Sequence, residues 1–359
     1  MAYQFTDSFD YYNTAFLQAG SMWETILGYP TISTAYARFP AIGSYPNQGV
    51  SLWASSYPQG MRKNLKSNQA SLIAFLSYGA AGGLPSTGYI GIVSLLDAGT
   101  CQITLALTPT GALQFVNYAG TPIGPASASA LIAVSTVPNH GIEIAVTING
   151  STGSIECWLD GAIVIALTTG LNTQHSANAY ANQIQVGVQS GNFGMSGGGG
   201  VLTDYVRVWD TTGSYQNAPV GHDVRKLTKL PIGAGALTQW TANGAASDWD
   251  CVNDASPDGD TTYVSSSGLN YDSYAMGSSG LSGVPSQVVV KSYVRKDDGA
   301  TRTFQIGVRS GSSNGLGTAV TVGSSYQWVD GCISVDPATS SPPTAAAADA
   351  FQHLKYEAS

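Results

Sequence analysis

Charge is scarce in this sequence of 359 residues: Asp, Glu, Lys and Arg together make up 10% of it, against about a quarter in an average soluble domain. Scarcest is glutamate, confined to Glu24, Glu143, Glu156 and Glu357. Histidine is equally thin, at His140, His175, His222 and His353, and no Gly-x-Ser-x-Gly elbow accompanies it. A nucleophilic triad therefore has no support, and these rings are expected in loops or on strand surfaces. The cysteines, Cys101, Cys157, Cys251 and Cys332, include no Cys-x-x-Cys pair, which excludes a disulfide framework or a zinc site and leaves buried free thiols. No apolar run approaches the roughly 18 residues that a spanning helix needs, so no membrane partner is expected. The opening MAYQFTDSFDYYN lacks the basic and apolar regions of a signal peptide, and the expectation is synthesis in a cytosol. With 14 Lys and Arg against 22 Asp and Glu, the formal charge is −8 and the pI about 4.8, which argues against nucleic acid as a partner.

What the chain has instead is 43% apolar residues and 43 glycines, about twice the usual glycine share. Ser, Thr, Ala, Asn and Tyr supply much of the rest. β-branched and aromatic residues are plentiful and net charge is modest, so the composition is not a disordered one. It is that of turn-rich β structure with a neutral polar surface. The length is comfortable for two domains.

Residues 210–264 hold the most uneven chemistry and mark the joint. Arg225, Lys226 and Lys229 sit beside His222 and Asp223, and then Asp248, Asp250, Asp254, Asp258 and Asp260 follow without a compensating base. Before this joint, residues 1–29 read as a strand and a short helix-like piece around Met22 and Trp23. Pro30, Pro40 and Pro46 then punctuate loops and short edge strands. Residues 51–54 and 71–78 read as core strands, with the KSNQA of 66–70 as a turn. YIGIVSLL, CQITLALT and GALQFVNYA form an antiparallel meander. In IEIAVTI, Ile142, Ile144, Val146 and Ile148 share one face and Glu143, Ala145 and Thr147 the other, the period of a half-buried strand. SIECWLD pairs with it, and Asp160-Gly161 turns into AIVIAL as a further hairpin. QIQVGVQ and VLTDYVRVW close the unit on either side of SGGGG, a flexible connector without the Lys-Ser or Lys-Thr of a phosphate loop. After the joint, SQVVVKSYVRK, TRTFQIGVRS, SYQWVDGCISVD and AFQHLKYEA read as strands, with Lys296-Asp297-Asp298-Gly299 as a hairpin turn between the first two. AAAADAF is the one short helix candidate in this part.

IEIAVTINGSTGSIECWLDGAIVIALTTGLNTQ, followed by ANQIQVG and DYVRVWDTTGS, resembles the concanavalin A-like (laminin G-like) jelly-roll domains of structural proteins of tailed bacteriophages. GHDVRKLTKLPIGAG, TQWTANG, DASPDGDTTYVSSS, VRKDDGATRTFQIGVRSG and SVDPATSSPPTAAAADAF look like blocks of the same two-domain protein type. The resemblance runs from about residue 70 to 359 and implies a virion component of head or tail, made in the bacterial host cytoplasm. Many folds of this kind are glycanases. The glucanase branch carries Glu-x-Asp-x-x-Glu on one strand, and that motif is absent here. Glycan hydrolysis needs two carboxyls about 5–10 Å apart. Pairing across 149–153 places Glu143 and Glu156 about three residues out of register, roughly 10 Å apart, and both are expected to face solvent.

Three constellations remain. Asp254, Asp258 and Asp260 surround a glycine and read either as turn builders or as hard oxygen ligands for calcium, without EF-hand spacing. Arg225, Lys226 and Lys229 read either as a solvated linker or as a basic spot that steers docking onto an acidic partner. The 19 tyrosines and seven tryptophans read as sugar-stacking platforms, as protein interface or as sandwich core.

The reading is all-β: two antiparallel β-sandwich (jelly-roll) domains, 1–212 and 227–359, joined by a short linker, 213–226. The function expected is a non-enzymatic structural component of a tailed-phage virion (decoration, fibre or tail-associated), without cofactor unless calcium, packed against other virion proteins and copies of itself. Its alternatives are a carbohydrate-binding, lectin-like recognition fibre for a host surface glycan, and a glycan hydrolase.

Overall fold

The computed structural model describes residues 3–39, 47–54, 59–188, 199–212, 217–221, 224–278, 280, 283 and 285–358. These divide into two compact units between Lys226 and Leu227. The fold is all-β, as expected, and its named strands pair antiparallel throughout. Among the described residues, no helix is long and apolar enough to cross a membrane.

The first unit begins with β1 (Tyr3–Asp7), α1 (Thr14–Gly20), β2 (Thr25–Leu27), β3 (Thr31–Ser33) and β4 (Gly49–Ala54). It continues through β5 (Gln59–Gln69), β6 (Ser71–Ala81), β7 (Ile90–Asp97), β8 (Thr100–Leu107) and β9 (Leu113–Val116). It ends with β10 (His140–Thr147), β11 (Gly153–Leu159), β12 (Ala162–Leu171), β13 (Ala181–Val188), β14 (Gly199–Thr203) and β15 (Val206–Asp210). One sheet runs β12-β11-β10-β6-β14-β4-β3, with β15 also on β6 and β1 on β15. The other runs β2-β5-β13-β7-β8-β9 and contains the expected meander. The alternation read in β10 is realised: Ile142, Ile144 and Val146 are buried beside Leu76, Ala74 and Leu72 of β6. Asp160 and Gly161 both hold positive φ, +52° and +85°, the backbone of a two-residue hairpin turn. Asp160 carries this conformation while its carboxylate accepts from the Gly141 N–H and pairs with Arg38 and His140.

Two local expectations fail. The helix is Thr14–Gly20, opened by Asn13, whose side chain accepts from the Phe16 N–H, and not the segment around Met22 and Trp23. Those two residues are buried after it, and the Trp23 indole donates to Asp7 at 2.6 Å. Asp7 also accepts from the Phe9 N–H and from the hydroxyls of Tyr11 and Tyr12, and burial against this carboxylate pushes both phenol pKa values well up. KSNQA is mostly strand: β5 continues to Gln69, which pairs with Ala181. Polarity there reflects an exposed strand end, and the chain changes sheets only at Ala70.

Part of one face of the first sheet is covered by the chain's own continuation. Val220 and Val224 pack on Ile73, Phe75 and Trp209. Glu143 is buried, and its two carboxylate oxygens accept from the N–H groups of Val220 and Gly221 at 2.8 and 2.9 Å. Segment 220–226, expected as linker, is thus a strap on the first sandwich in its described residues, and Glu143 does not face solvent.

The second unit comprises β16 (Pro231–Thr238), β17 (Thr241–Asn243), β18 (Tyr263–Ser265), β19 (Tyr271–Met276) and β20 (Val288–Val294). After these come β21 (Arg302–Ser310), β22 (Ser313–Leu316), β23 (Val320–Val322), β24 (Gln327–Ile333), α2 (Ala345–Ala350) and β25 (Gln352–Glu357). Its main sheet runs β16-β19-β25-β21-β22, with β23 on β21, while β20-β24 and β17-β18 form ribbons. The ribbon β20-β24 turns Val290, Val294 and Val329 toward Phe304 and Ile306 of the main sheet. The expected hairpin at 296–299 is absent, because β20 pairs with β24 and β21 with β25. The corner carries the chain between two sheets, and Asp298 fastens it to Arg302 and the Ala300 N–H. AAAADAF does open as the helix α2, capped by Thr344.

Candidate functional site

At one end of the first sandwich, the turn between β7 and β8 meets the loop 172–182. The β7–β8 register slips between Leu95↔Ile103 and Leu96↔Cys101, which leaves Gln102 as a bulge and re-aims its side chain. Gln102 is buried. Its Oε1 accepts from the N–H groups of His175 and Ser176 at 2.6 and 2.9 Å. Its Nε2 lies 2.8 Å from the Ser176 hydroxyl and from the carbonyls of Asn178 and Tyr180. Asp97, also buried, accepts from Ser176 Oγ, Asn178 Nδ2 and Asn182 Nδ2. Asn182 and Gln183 in turn accept from the N–H groups of Ala98 and Gly99 in the turn. The loop is therefore fixed by side chains that strand geometry holds in place.

The fixed loop presents His175, which stacks on Tyr118 with ring centroids 3.4 Å apart at 18°. Tyr118 comes from the turn after β9, where Asn117 Oδ1 accepts from the N–H groups of Ala119 and Thr121. Tyr118 is 48% exposed, and exposed too are His175 and, on the same loop as His175, Asn172 and Asn178. An exposed aromatic stack on locked turns, with exposed amide side chains on the same loop, offers a flat apolar surface and directional hydrogen-bond groups together. That is the chemistry with which a concave or flat site holds a polyol ring.

The residues singled out from sequence lie elsewhere. Arg225 is exposed, with its guanidinium carbon 4.3 Å from the Phe39 ring centre. The Lys226 side chain is 4% exposed, its Nζ 2.9 Å from Asp10 and also donating to the carbonyls of Ser8 and Gln48. Lys229 pairs with Asp349 at 3.2 Å. The three cations thus have separate internal contacts. His222 and Asp223 lie outside the described residues.

Asp254 and Asp258 both accept from the Thr262 hydroxyl, while Asp260 pairs with Arg295 and accepts from Tyr326. Among the described residues, no group of three or more His, Cys, Asp or Glu is arranged to hold a metal ion. Burial beside Asp258 pushes the Asp254 carboxyl up, and hydrogen bonds from Tyr326 and Arg295 pull Asp260 down. Glu143 and Glu156 stand two residues out of register, not three, since Glu143 faces Trp158 and Glu156 faces Ala145. His353 is not a surface residue either. It lies half-buried in β25, stacked edge-on against Tyr274, and burial lowers its pKa to about 3. Cys101, Cys157, Cys251 and Cys332 are free thiols, and the first three are buried.

No protein family model matches this chain, and no curated protein does. Solved structures similar to it include an alginate lyase of polysaccharide lyase family 7, at 14% identity over 45% of this chain and 77% of the lyase, TM-score 0.30. Another is the catalytic domain of a GH131 β-glucanase from Podospora anserina, at 14% identity over 55% and 88%, TM-score 0.32. A third is botulinum neurotoxin type C, whose cell entry depends on interaction with two ganglioside molecules, at 7% identity over 91% and 93%, TM-score 0.33. At these values the likeness assigns neither activity nor ligand to this chain. It does correct one expectation: alginate lyases, a glucanase and a sialidase are among the similar structures, so the expectation of a non-enzyme, drawn from sparse glutamates and a missing acid motif, does not stand.

Proposed function

We propose that this protein recognises glycans through the loop end of its first sandwich, as an exposed component of a tailed-phage virion. The Tyr118–His175 stack on loops locked by Gln102 and Asp97 carries the reading. Pre-organisation matters because a loop that needs no ordering on contact loses less freedom when a sugar binds. The virion setting is supported by the resemblance of the sequence blocks in both units to phage structural proteins. The low-charge surface also suits close packing against other virion proteins and copies of the same chain.

The test is a glycan array probed with the full chain, using bacterial surface polysaccharides and host oligosaccharides. Tyr118→Ala is expected to weaken binding roughly three- to tenfold, and Gln102→Leu to do the same by releasing the loop with both rings intact. Binding unchanged in Tyr118→Ala and in His175→Ala refutes the site, and an array without any positive glycan refutes the function. New reducing ends in the same panel would extend recognition to cleavage. Gold-labelled antibody on intact particles tests the virion placement, and particles that carry no label refute it.

A further inference from the structure

Three segments are tied together at the loop end of the first sandwich: the turn 117–130 after β9, the β10–β11 hairpin tip 149–153, and the loop 172–182. Thr173 exchanges bonds with Asn149, its N–H donating to the Asn149 carbonyl and its Oγ1 accepting from the Asn149 N–H, both at 2.9 Å. Two residues further on, His175 stacks on Tyr118. None of the three segments contains Asp, Glu, Lys or Arg, and the two long stretches that carry most of them, 98–142 and 161–203, contain none either. Two charged groups border the loops, and both are already engaged. Asp97 is buried and accepts from Ser176, Asn178 and Asn182. Arg62 approaches the β7–β8 turn at Gly99, and its guanidinium donates to Gln185 Oε1 at 2.9 Å. Tyr118 is followed by Ala119, Gly120, Thr121 and Pro122, which are small beside its ring. Among the described residues its hydroxyl has no hydrogen-bond partner.

We infer that this end selects uncharged glycans, an inference that rests on the glycan reading of the same site. The absence of charge decides the class. A uronate or sialate that docks against a surface gives up part of the hydration of its carboxylate, and that cost is recovered only from a cation or from several donors aimed at it. These segments offer no Lys or Arg, and Arg62 would have to leave Gln185 to serve. The formal charge of −8 over the whole chain adds a long-range repulsion against an anionic polymer. A neutral sugar meets neither cost. Its C–H face needs a ring such as Tyr118. Its hydroxyls need groups that both donate and accept, which the Tyr118 hydroxyl and the exposed amides of Asn172 and Asn178 supply.

The experiment is a glycan array carrying neutral and acidic glycans, followed by isothermal titration of the full chain. Cellohexaose, maltohexaose and mannohexaose join the array's positives as neutral probes, and an alginate hexamer is the acidic one. Histidine carries a charge only when protonated, so the measurements are made at pH 8. Positives are expected among uncharged glycans, with affinity that changes less than about twofold between about 20 and about 300 mM salt. The alginate hexamer is expected to bind roughly tenfold more weakly or not at all. Tyr118→Ala should weaken the neutral positives, and Tyr118→Phe, which keeps the ring and removes the hydroxyl, should weaken them less. A melting curve for each variant checks folding, and His175→Ala supplies the readout if Tyr118→Ala does not fold. Tyr118-dependent binding confined to acidic glycans, or binding that falls steeply with salt, overturns the inference and leaves glycan recognition standing. An array without positives, or neutral binding unchanged in both Tyr118→Ala and His175→Ala, refutes the recognition site itself and this inference with it.

Discussion

Lys355 lies in the second unit's core, 6% exposed, directly across from Asp272 on the neighbouring strand and 4.9 Å from the Tyr274 ring centre. Burial outweighs the attraction of Asp272 and lowers its pKa from 10.5 to about 8. A base whose folded pKa is depressed binds fewer protons folded than unfolded between the two values, so stability must rise with pH across that window. The shift of 2.5 units corresponds to about 3 kcal/mol. That penalty is fully present below pH 8 and fades toward pH 10.5. Asp272 is itself buried, and desolvation raises its pKa. Replacing only the lysine would strand this carboxylate, so the informative variant is the double one, Lys355→Met with Asp272→Asn. Methionine is unbranched and fills the aliphatic path of the lysine, and exchange of opposite buried charges for neutral groups is commonly neutral or stabilising by about 1–4 kcal/mol. Chemical denaturation of both proteins at intervals from pH 7 to 10 is the assay. The variant should be the more stable at pH 7, and its advantage should shrink steadily between pH 8 and 10. A stability gap independent of pH, or one that widens with pH, refutes the reasoning.

Two further outcomes follow from the geometry. Fragment 1–226 should melt higher than 1–212 by roughly 6–12 °C, the equivalent of about 3 kcal/mol, because the shorter piece uncovers Trp209 and Phe75 and strips Glu143 of both donors. Equal melting temperatures would show that the strap contributes nothing. His353, whose folded pKa of about 3 lies below the ordinary 6.5, should lower stability as pH falls from 6.5 toward 3, since the unfolded chain takes up the proton first. His353→Gln should flatten that acid limb in a pH series of denaturation curves, and an unchanged limb counts against burial of the neutral ring.

Much of the fold was readable because the hydrophobic period is local. The alternation of β10, the meander of β7 to β9 and the Asp160-Gly161 turn are each decided within a few residues, and each is found. The failures share one physical origin, which is that partner choice is not local. A Lys-Asp-Asp-Gly turn permits a hairpin, but β20 and β21 bury their apolar faces in different sheets. A polar run such as KSNQA permits a turn, but its backbone finds β13. The candidate site was hidden for the same reason. Tyr118 and His175 are 57 positions apart, and the bulge that turns Gln102 into the loop depends on the register of β7 and β8. Only the abundance of tyrosine on a chain of low charge pointed toward exposed aromatic chemistry.

The charged residues make the general point. Runs of like charge are usually read as solvated surface, because neighbours in sequence are assumed to share an environment. In a chain with so few charges that assumption breaks down. Lys226 bonds Asp10 across 216 positions, Glu143 caps the strap 77 positions away, and Asp7 gathers the hydroxyls of Tyr11 and Tyr12 and the indole of Trp23. Each of these charges is buried or nearly so and has its hydrogen bonds inside the unit. A charge so engaged is held at a fixed place, where removal of one partner costs several kcal/mol, and it contributes little to long-range attraction of a ligand. Steering by a charged patch therefore has few of these groups to draw on. Recognition is left to neutral chemistry held rigidly in place: ring faces, amides and hydroxyls. The loop end of the first sandwich is where such groups stand exposed on fixed turns.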